Sequence, residues 1–154
     1  MQPIFREATI EDIKQMQVVR YSVKENVLSD PALVTDKDYE PFLTSRGKGW
    51  VCEINENIVG FSIADLFDNN IWALFVNPGN ERLGIGRKLH DMMLNWYFSQ
   101  TQKKLWLGTA PNSRAERFYR TAGWKEIGLH GHGEIKFEMT FKDWSPLKNV
   151  DTNF

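Results

Sequence analysis

Three apolar runs follow one another between Gly49 and Asn77: "GWVCEI", "IVGFSIADL" and "IWALFVN". They are parted only by a turn at Asn55–Asn57 and by "FDNN". Links this short join antiparallel neighbours, because a parallel pair needs a crossover of a dozen residues or more. The middle of the chain is therefore an antiparallel meander, and everything else must pack around it.

Before the meander, "PIFREA" reads as a short strand. Thr9 then opens a helix with Asp12 three residues on, in the manner of a capping box. Ile10, Ile13, Met16, Val19 and Val23 recur at helical spacing. A second helix is predicted to begin after Thr35 and to end by Gly47. After the meander, Ile85, Leu89, Met92, Met93 and Trp96 stripe one helix face. "KKLWLGTA" is a short strand, Asn112 to Thr121 a helix closed by Ala122-Gly123, and "WKEIGL" with "EIKFEMTF" a last hairpin around His130–Gly133. Residues from about 143 to 154, "DWSPLKNVDTNF", read as a polar tail. The order β-α-α-β-β-β-α-β-α-β-β describes one mixed α/β domain over residues 1–154, with antiparallel strands leading into βαβ connections.

Charge narrows the partners. Nineteen basic against twenty acidic residues leave a net charge of −1, which gives no global pull toward nucleic acid or a membrane surface. The only cysteine, Cys52, lies in a strand-like run and reads as a small buried hydrophobe. A single cysteine rules out an internal disulfide and suits a reducing compartment. No apolar run approaches the roughly 18 residues of a membrane span, and the start lacks the shape of a signal peptide. A cytoplasmic protein is expected.

The stretch after the meander, "NPGNERLGIGRKLHDMM", carries the first chemical signal. Gly84 and Gly86 let the backbone approach a ligand closely, and the helix that follows leaves up to four N–H groups unpaired at its positive end. Such a terminus takes phosphate oxygens, and Arg82, Arg87 and Lys88 supply charge nearby. A plain glycine turn capping a helix is the bland alternative. A nucleoside-triphosphate loop would need Ser or Thr after Gly-Lys, where this chain has Arg87-Lys88-Leu89. A dinucleotide fingerprint would need a third glycine where Leu89 stands.

A second block, "NSRAERFYRTAGW", follows about one βα unit downstream. Together the two blocks resemble the GNAT superfamily of N-acetyltransferases. Its first motif, Gln/Arg-x-x-Gly-x-Gly/Ala, corresponds to Glu81-Arg82-Leu83-Gly84-Ile85-Gly86. Its second, Asn-x-x-Ala-x-x-Phe/Leu-Tyr before a Gly-aromatic turn, runs from Asn112 through Gly123-Trp124. Glu81 departs from the pattern, where the family has Gln or Arg. The resemblance covers residues 3 to about 141. It implies an α/β fold with a mixed, mostly antiparallel sheet of about seven strands, flanked by about four helices and splayed between strands 4 and 5 by a bulge in strand 4.

It also implies acetyl-CoA as co-substrate. The backbone amides of Arg82, Leu83, Gly84, Ile85, Gly86 and Arg87 would hold the pyrophosphate. Main-chain groups of Leu74, Phe75 and Val76 would meet the pantetheine, with one amide polarising the acetyl carbonyl as an oxyanion donor. Asn112 would contact CoA or simply cap its helix. Tyr119 would be the general acid that protonates the departing thiolate. Arg20, Tyr21, Asn26, Trp72, His130 and Glu134 would shape the acceptor pocket.

The acceptor sets the remaining problem. A lysine-like ammonium must lose a proton first, which at pH 7 costs roughly 3.4 pK units or about 4.6 kcal/mol. Many relatives use a glutamate in strand 4 or 5, but "IWALFVN" has no acid and "KKLWLGTA" has Gly108 near that place. Asp65, Asp68, Glu134, Glu138, His130 and His132 are the remaining candidates for a base. His130 and His132 form an H-x-H pair with no third metal ligand evident by spacing, so no metal is expected. With Cys52 remote, direct attack in a ternary complex is expected rather than an acetyl-enzyme. The acceptor is a small-molecule or peptide amine, and a homodimer is possible. Two other readings stand beside this one: a CoA-binding regulatory module without catalysis, and a tRNA-directed enzyme, which would want a basic surface near Arg46 and Lys48.

Overall fold

The computed structural model describes residues 2–23, 34–81 and 83–151, and the chain divides into two compact units, Met1–Tyr97 and Phe98–Phe154. In the first unit β1 (Ile4–Glu7), α1 (Ile13–Ser22) and α2 (Asp36–Leu43) precede the meander β2 (Gly47–Ile54), β3 (Asn57–Asp65) and β4 (Asn70–Val76). Helix α3 (Ile85–Gln100) starts in this unit, and its last residues belong to the second. The second unit holds β5 (Leu105–Thr109), α4 (Arg114–Thr121), β6 (Lys125–His130), β7 (Glu134–Met139) and α5 (Phe141–Asp151).

The meander forms as its short links dictate. Strand order in the first unit is β1-β2-β3-β4, each pair antiparallel. Asn55 and Glu56, at φ 54° and 68°, make a two-residue hairpin turn whose twist matches the flanking strands. From Ile58 onward β3 is buried at every position, because helices cover both of its faces. Phe61 and Ile63 join Ile13, Met16, Val19, Tyr39, Val51 and Ala73 in a core beneath α1 and α2. On the opposite face Ser62 donates to the Leu89 carbonyl of α3 at 3.2 Å. Gly60 lets α3 pack closely there, since a Cβ would come within 3.2 Å of Leu89 Cδ1 and 3.3 Å of Ile85 Cγ2. A bulge does occur in strand 4: the register with β3 shifts so that Ile63 faces Ala73 and Ala64 faces Ile71, which leaves Trp72 as the extra residue.

Both early helices begin as their sequences predict. The Asp12 carboxylate accepts the Thr9 backbone N–H at 2.8 Å, closing a 3-10 turn, Ile10–Asp12, that leads into α1, and at the start of α2 Asp38 accepts that of Thr35 at 2.7 Å. In the second unit β7 lies between β5 and β6, antiparallel to each. Tyr119 of α4, Trp124, Ile135, Phe137 and Met139 are buried on one side of these strands.

Two expectations change. Helix α4 is capped by Ser113, whose hydroxyl accepts the Glu116 N–H at 3.1 Å, and not by Asn112. Asn112 stands one residue earlier in the left-handed region at φ 59°, its N–H given to the Glu116 carboxylate at 2.7 Å. The predicted polar tail is instead a fifth helix, α5, anchored by Trp144 stacked on Phe98 with ring centroids 5.0 Å apart. No helix among the described residues is long and apolar enough to cross a membrane.

Candidate functional site

In the first unit the chain leaves β4 at Val76 and passes through a single turn at Pro78–Asn80. Gly84 then adopts φ +76°, a conformation that side-chain-bearing residues resist, and α3 begins at Ile85. The first bond of the helix runs from Lys88 N–H to the Gly84 carbonyl at 3.1 Å, so the amides of Ile85, Gly86 and Arg87 precede any intrahelical acceptor. A Cβ at Gly84 would meet nothing within 4 Å, and one at Gly86 would make only ordinary contact with Val76 at 3.6 Å. The space at Gly84 is therefore open among the described residues, and the sixteen-residue helix behind the turn aims its positive end there.

Arg87 and Lys88, beside the turn, have other engagements. Arg87 Nε donates to both Asp91 oxygens at 3.2 Å, one helical turn on, and Lys88 Nζ lies 4.6 Å from the Phe5 ring centroid. Among the described residues, what the turn offers an anion is chiefly backbone. Leu83 is exposed, and Arg82 lies outside the described residues. Leu74, Phe75 and Val76 pair with Ser62, Phe61 and Gly60 across the β3–β4 ladder.

Arg20, Trp72, Tyr39 and Phe75 form an aromatic box around a guanidinium. Arg20 is 5% exposed, with its charge centre 4.7 Å from the Trp72 ring, 5.0 Å from Phe75 and 5.4 Å from Tyr39. Burial pushes its pKa below the usual arginine value, and its Nε has no hydrogen-bond partner among the described residues. Tyr21 turns outward and donates its hydroxyl to the Val34 carbonyl at 2.8 Å. Asn26 lies outside the described residues.

Two of the candidate bases, Asp65 and Asp68, pair with Arg46. Asp65 is buried under Arg46, which donates to its two oxygens at 3.2 and 2.7 Å, and it also accepts the N–H groups of Phe67 and Asp68. It clamps the β3–β4 turn, and Asp68 shares the same guanidinium at 3.0 Å. Cys52 is fully buried, and burial raises its thiol pKa, as expected of a core hydrophobe.

In the second unit Tyr119 is 5% exposed and sits among Phe118, Trp124 and Phe137, with ring centroids 5.3, 5.6 and 6.3 Å away. Burial pushes its pKa above the ordinary tyrosine value of 10, which keeps the phenol protonated throughout the physiological range. On the other side of the same strands lie Trp106, Gly108, His130 and Glu134. His130 ends β6, whereas His132 belongs to the following turn, so the two are not alternate residues of one strand. Glu138 lies 3.6 Å from Lys104. Sequence reasoning passed over Trp106 and Lys136, although their even spacing from Gly108 and Glu134 was visible. What it could not supply was the register that brings these strands together.

The chain matches the acetyltransferase (GNAT) family model over residues 10–124. No curated protein shows a significant sequence match to it. Among solved structures, a GNAT-family acetyltransferase from Staphylococcus aureus Mu50 is 22% identical, with a TM-score of 0.74 over 91% of this chain and 99% of that one. PaiA N-acetyltransferase from Thermoplasma acidophilum, solved in complex with coenzyme A, is 12% identical, with a TM-score of 0.67 over 91% and 99%. A ribosomal-protein-alanine N-acetyltransferase from Brucella melitensis is 18% identical, with a TM-score of 0.69 over 89% and 99%. The expected mixed, mostly antiparallel fold of seven strands is the one these structures share, here with five α-helices in place of the expected four or so. The extent of the family match and the agreement in fold lead to one assignment: the chain belongs to the GNAT family of acetyltransferases.

Proposed function

We propose that the protein moves the acetyl group of acetyl-CoA to a primary amine of a small molecule or peptide, by direct attack within a ternary complex. The observation that carries this reading is the left-handed Gly84 turn opening onto the start of α3 in a chain of this family. Two features favour a pyrophosphate there over a plain capping turn. The space at Gly84 is open with only ordinary contact at Gly86, and Arg87 is paired with Asp91, which suits a ligand whose phosphate oxygens are held by backbone amides. That the similar PaiA protein was solved with coenzyme A supports the same ligand.

On this reading residues 1–154 act as one acetyltransferase domain. The amides of Arg82, Leu83, Gly84, Ile85, Gly86 and Arg87 hold the pyrophosphate, and main-chain groups of Leu74, Phe75 and Val76 align the pantetheine. Asn112, freed of the capping role by Ser113, is left to contact CoA. An amide beside the thioester stabilises the oxyanion of the tetrahedral intermediate. Tyr119, protonated at neutral pH, gives its proton to the departing thiolate. Arg20, Tyr21, Asn26 and Trp72 shape the acceptor side, together with His130 and Glu134.

Acetyl-CoA titration by calorimetry, followed by thiol-release assays across a panel of small amines and peptides, tests the reading. Binding with release of thiol and an acetylated amine confirmed by mass spectrometry is the expected result. Tight binding with no turnover on any amine would point to a regulatory module instead.

A further inference from the structure

Arginine is almost never fully buried without a partner, because the interior takes away the water that solvates its charge. In the first unit Arg20 of α1 is 5% exposed, yet among the described residues no carboxylate pairs with it and its Nε has no hydrogen-bond partner. The groups that act electrostatically on it are the phenols of Tyr39 and Tyr21. Acids on the neighbouring helix α2 are committed elsewhere. Asp36 lies 3.9 Å from Lys14, and Asp38 accepts the Thr35 N–H at 2.7 Å.

The immediate surroundings of the guanidinium are aromatic. Its charge centre lies over the rings of Trp72, Phe75 and Tyr39 at 4.7, 5.0 and 5.4 Å. Such rings hold a cation by their faces but do not take its N–H donors as a carboxylate does. The box is firmly built. Tyr39 meets Trp72 edge-on with centroids 4.9 Å apart, Phe42 stacks on Trp72 at 4.2 Å, and the Tyr39 hydroxyl donates to Gln17 Oε1 at 2.7 Å. Tyr39 is fully buried, whereas Trp72 and Phe75 are half-buried, so the walls on β4 reach the surface. Trp72 is also the extra residue of the β4 bulge, a device that re-aims side chains beside sites.

Phe75 connects this charge to the donor strand, since its main chain is one of those read above as aligning the pantetheine. The end of α1 is tied to the exit of the same strand. Ser22 Oγ donates to the Val19 carbonyl at 2.6 Å and lies 3.0 Å from Asn77 Oδ1. All of these residues belong to the first unit.

We infer that the acceptor carries a carboxylate as well as its amine, and that this carboxylate takes the N–H of Arg20 Nε and a terminal N–H beside it inside the Tyr39–Trp72–Phe75 box. The inference rests on the acetyltransferase reading above and names the substrate class. Arg20 sets specificity and takes no part in the bond-making step. A planar guanidinium fork matches the two oxygens of a carboxylate, so the pairing selects that group by shape as well as by charge.

The test offers the protein amino acids, straight-chain ω-amino acids and dipeptides, each beside its own carboxamide, with polyamines as acceptors that lack a carboxylate. Turnover of acetyl-CoA is followed by thiol release. For the best acid, wild-type kcat/KM should exceed that of its carboxamide roughly 100-fold. Arg20→Met keeps the length and removes the charge. It should abolish the preference by losing the acid alone, with the carboxamide and the KM for acetyl-CoA nearly unchanged. Arg20→Lys keeps a point charge without the fork and should retain a preference of roughly tenfold. Calorimetric titration with acetyl-CoA checks that each variant is folded, and Arg20→Lys carries the comparison if Arg20→Met is not. An arginine that only holds the box together would weaken acid and carboxamide alike, and that result overturns the inference. So does a wild type that treats acid and carboxamide equally, or one that acetylates polyamines and no acid, while the acetyltransferase reading stands. A wild type that acetylates no amine overturns that reading and the carboxylate with it.

Discussion

Two terminal nitrogens of Arg6 each sit 2.9 Å from an oxygen of Asp12, a bidentate pair that ties β1 to the start of α1. Arg6 Nε reaches Glu53 on β2 at 3.1 Å, and Asp12 also accepts the Thr9 N–H, so one carboxylate fixes a helix cap and a strand together. Burial alone would raise the Asp12 pKa. The hydrogen bonds from Arg6 and Thr9, with the Arg6 charge, outweigh it and hold the carboxyl below its usual value. A depressed folded-state pKa gives stability that is fully present above the unfolded value of about 3.9 and is lost as pH falls through the folded one. Asp12→Asn should therefore be less stable than the wild type at pH 7, and the gap should narrow below about pH 4. Urea unfolding at pH 7, 5 and 3 checks this; a gap constant with pH would remove the ionic contribution.

Tyr119 lies among aromatic rings, with its acidity suppressed by burial. Tyr119→Phe keeps the packing and removes the proton, so kcat should fall roughly 100-fold with little change in the KM for acetyl-CoA. The upward shift carries a second consequence. Any loss of rate caused by ionisation of Tyr119 should begin above pH 10, leaving kcat unaffected by it between pH 7 and 9.5. An alkaline limb near pH 8 that disappears in Tyr119→Phe would contradict that assignment.

Gly84 and Gly86 separate backbone conformation from ligand contact. Gly84→Ala places a side chain at φ +76°, with open space around it, and should cost roughly 1–2 kcal/mol of stability from the dihedral alone. At Gly86 a methyl meets only Val76 at 3.6 Å, so Gly86→Ala should unfold at nearly the wild-type urea concentration. If CoA phosphate lies against this turn, Gly86→Ala should still weaken CoA binding by tenfold or more, about 1.4 kcal/mol. Calorimetric titration beside a urea melt distinguishes the two effects. Unchanged affinity in both variants would remove the turn from the CoA site.

The parts read correctly from the sequence are those decided by neighbours in the chain. Turns such as Asn55-Glu56 fix the meander, and Thr9 and Thr35 announce their helices through acids three residues on. The glycine turn is legible for the same reason, since its ligating groups would be consecutive amides. Asn112 misled because Asn and Ser both cap helices, and the choice fell to Ser113 once Asn112 took a left-handed conformation. The placing of Glu134 against Gly108, where a Cβ would stand 2.8 Å from Glu134 Oε1, was out of reach. It depends on which residue of β7 stands beside which residue of β5, and slipping that register by one residue would turn Glu134 to the other face.

Helix α5 was hidden for a different reason: polar residues and Pro146 dominate its composition, while a few aromatics carry its packing. Trp144 stacks on Phe98 at 5.0 Å between centroids and meets Phe141 at 5.8 Å, and its N–H closes the first turn on the Thr140 carbonyl at 2.9 Å. The ring is 9% exposed, so Trp144→Ala removes a large buried surface and leaves a cavity beside Phe98. The expected cost is roughly 3–5 kcal/mol, a large share of the stability of a chain this size. Lys142→Ala, on the exposed side of the same turn, should stay within about 0.5 kcal/mol of wild type. Urea melts of the two variants provide the comparison. A Trp144→Ala protein as stable as Lys142→Ala would mean that α5 is not anchored by this stack.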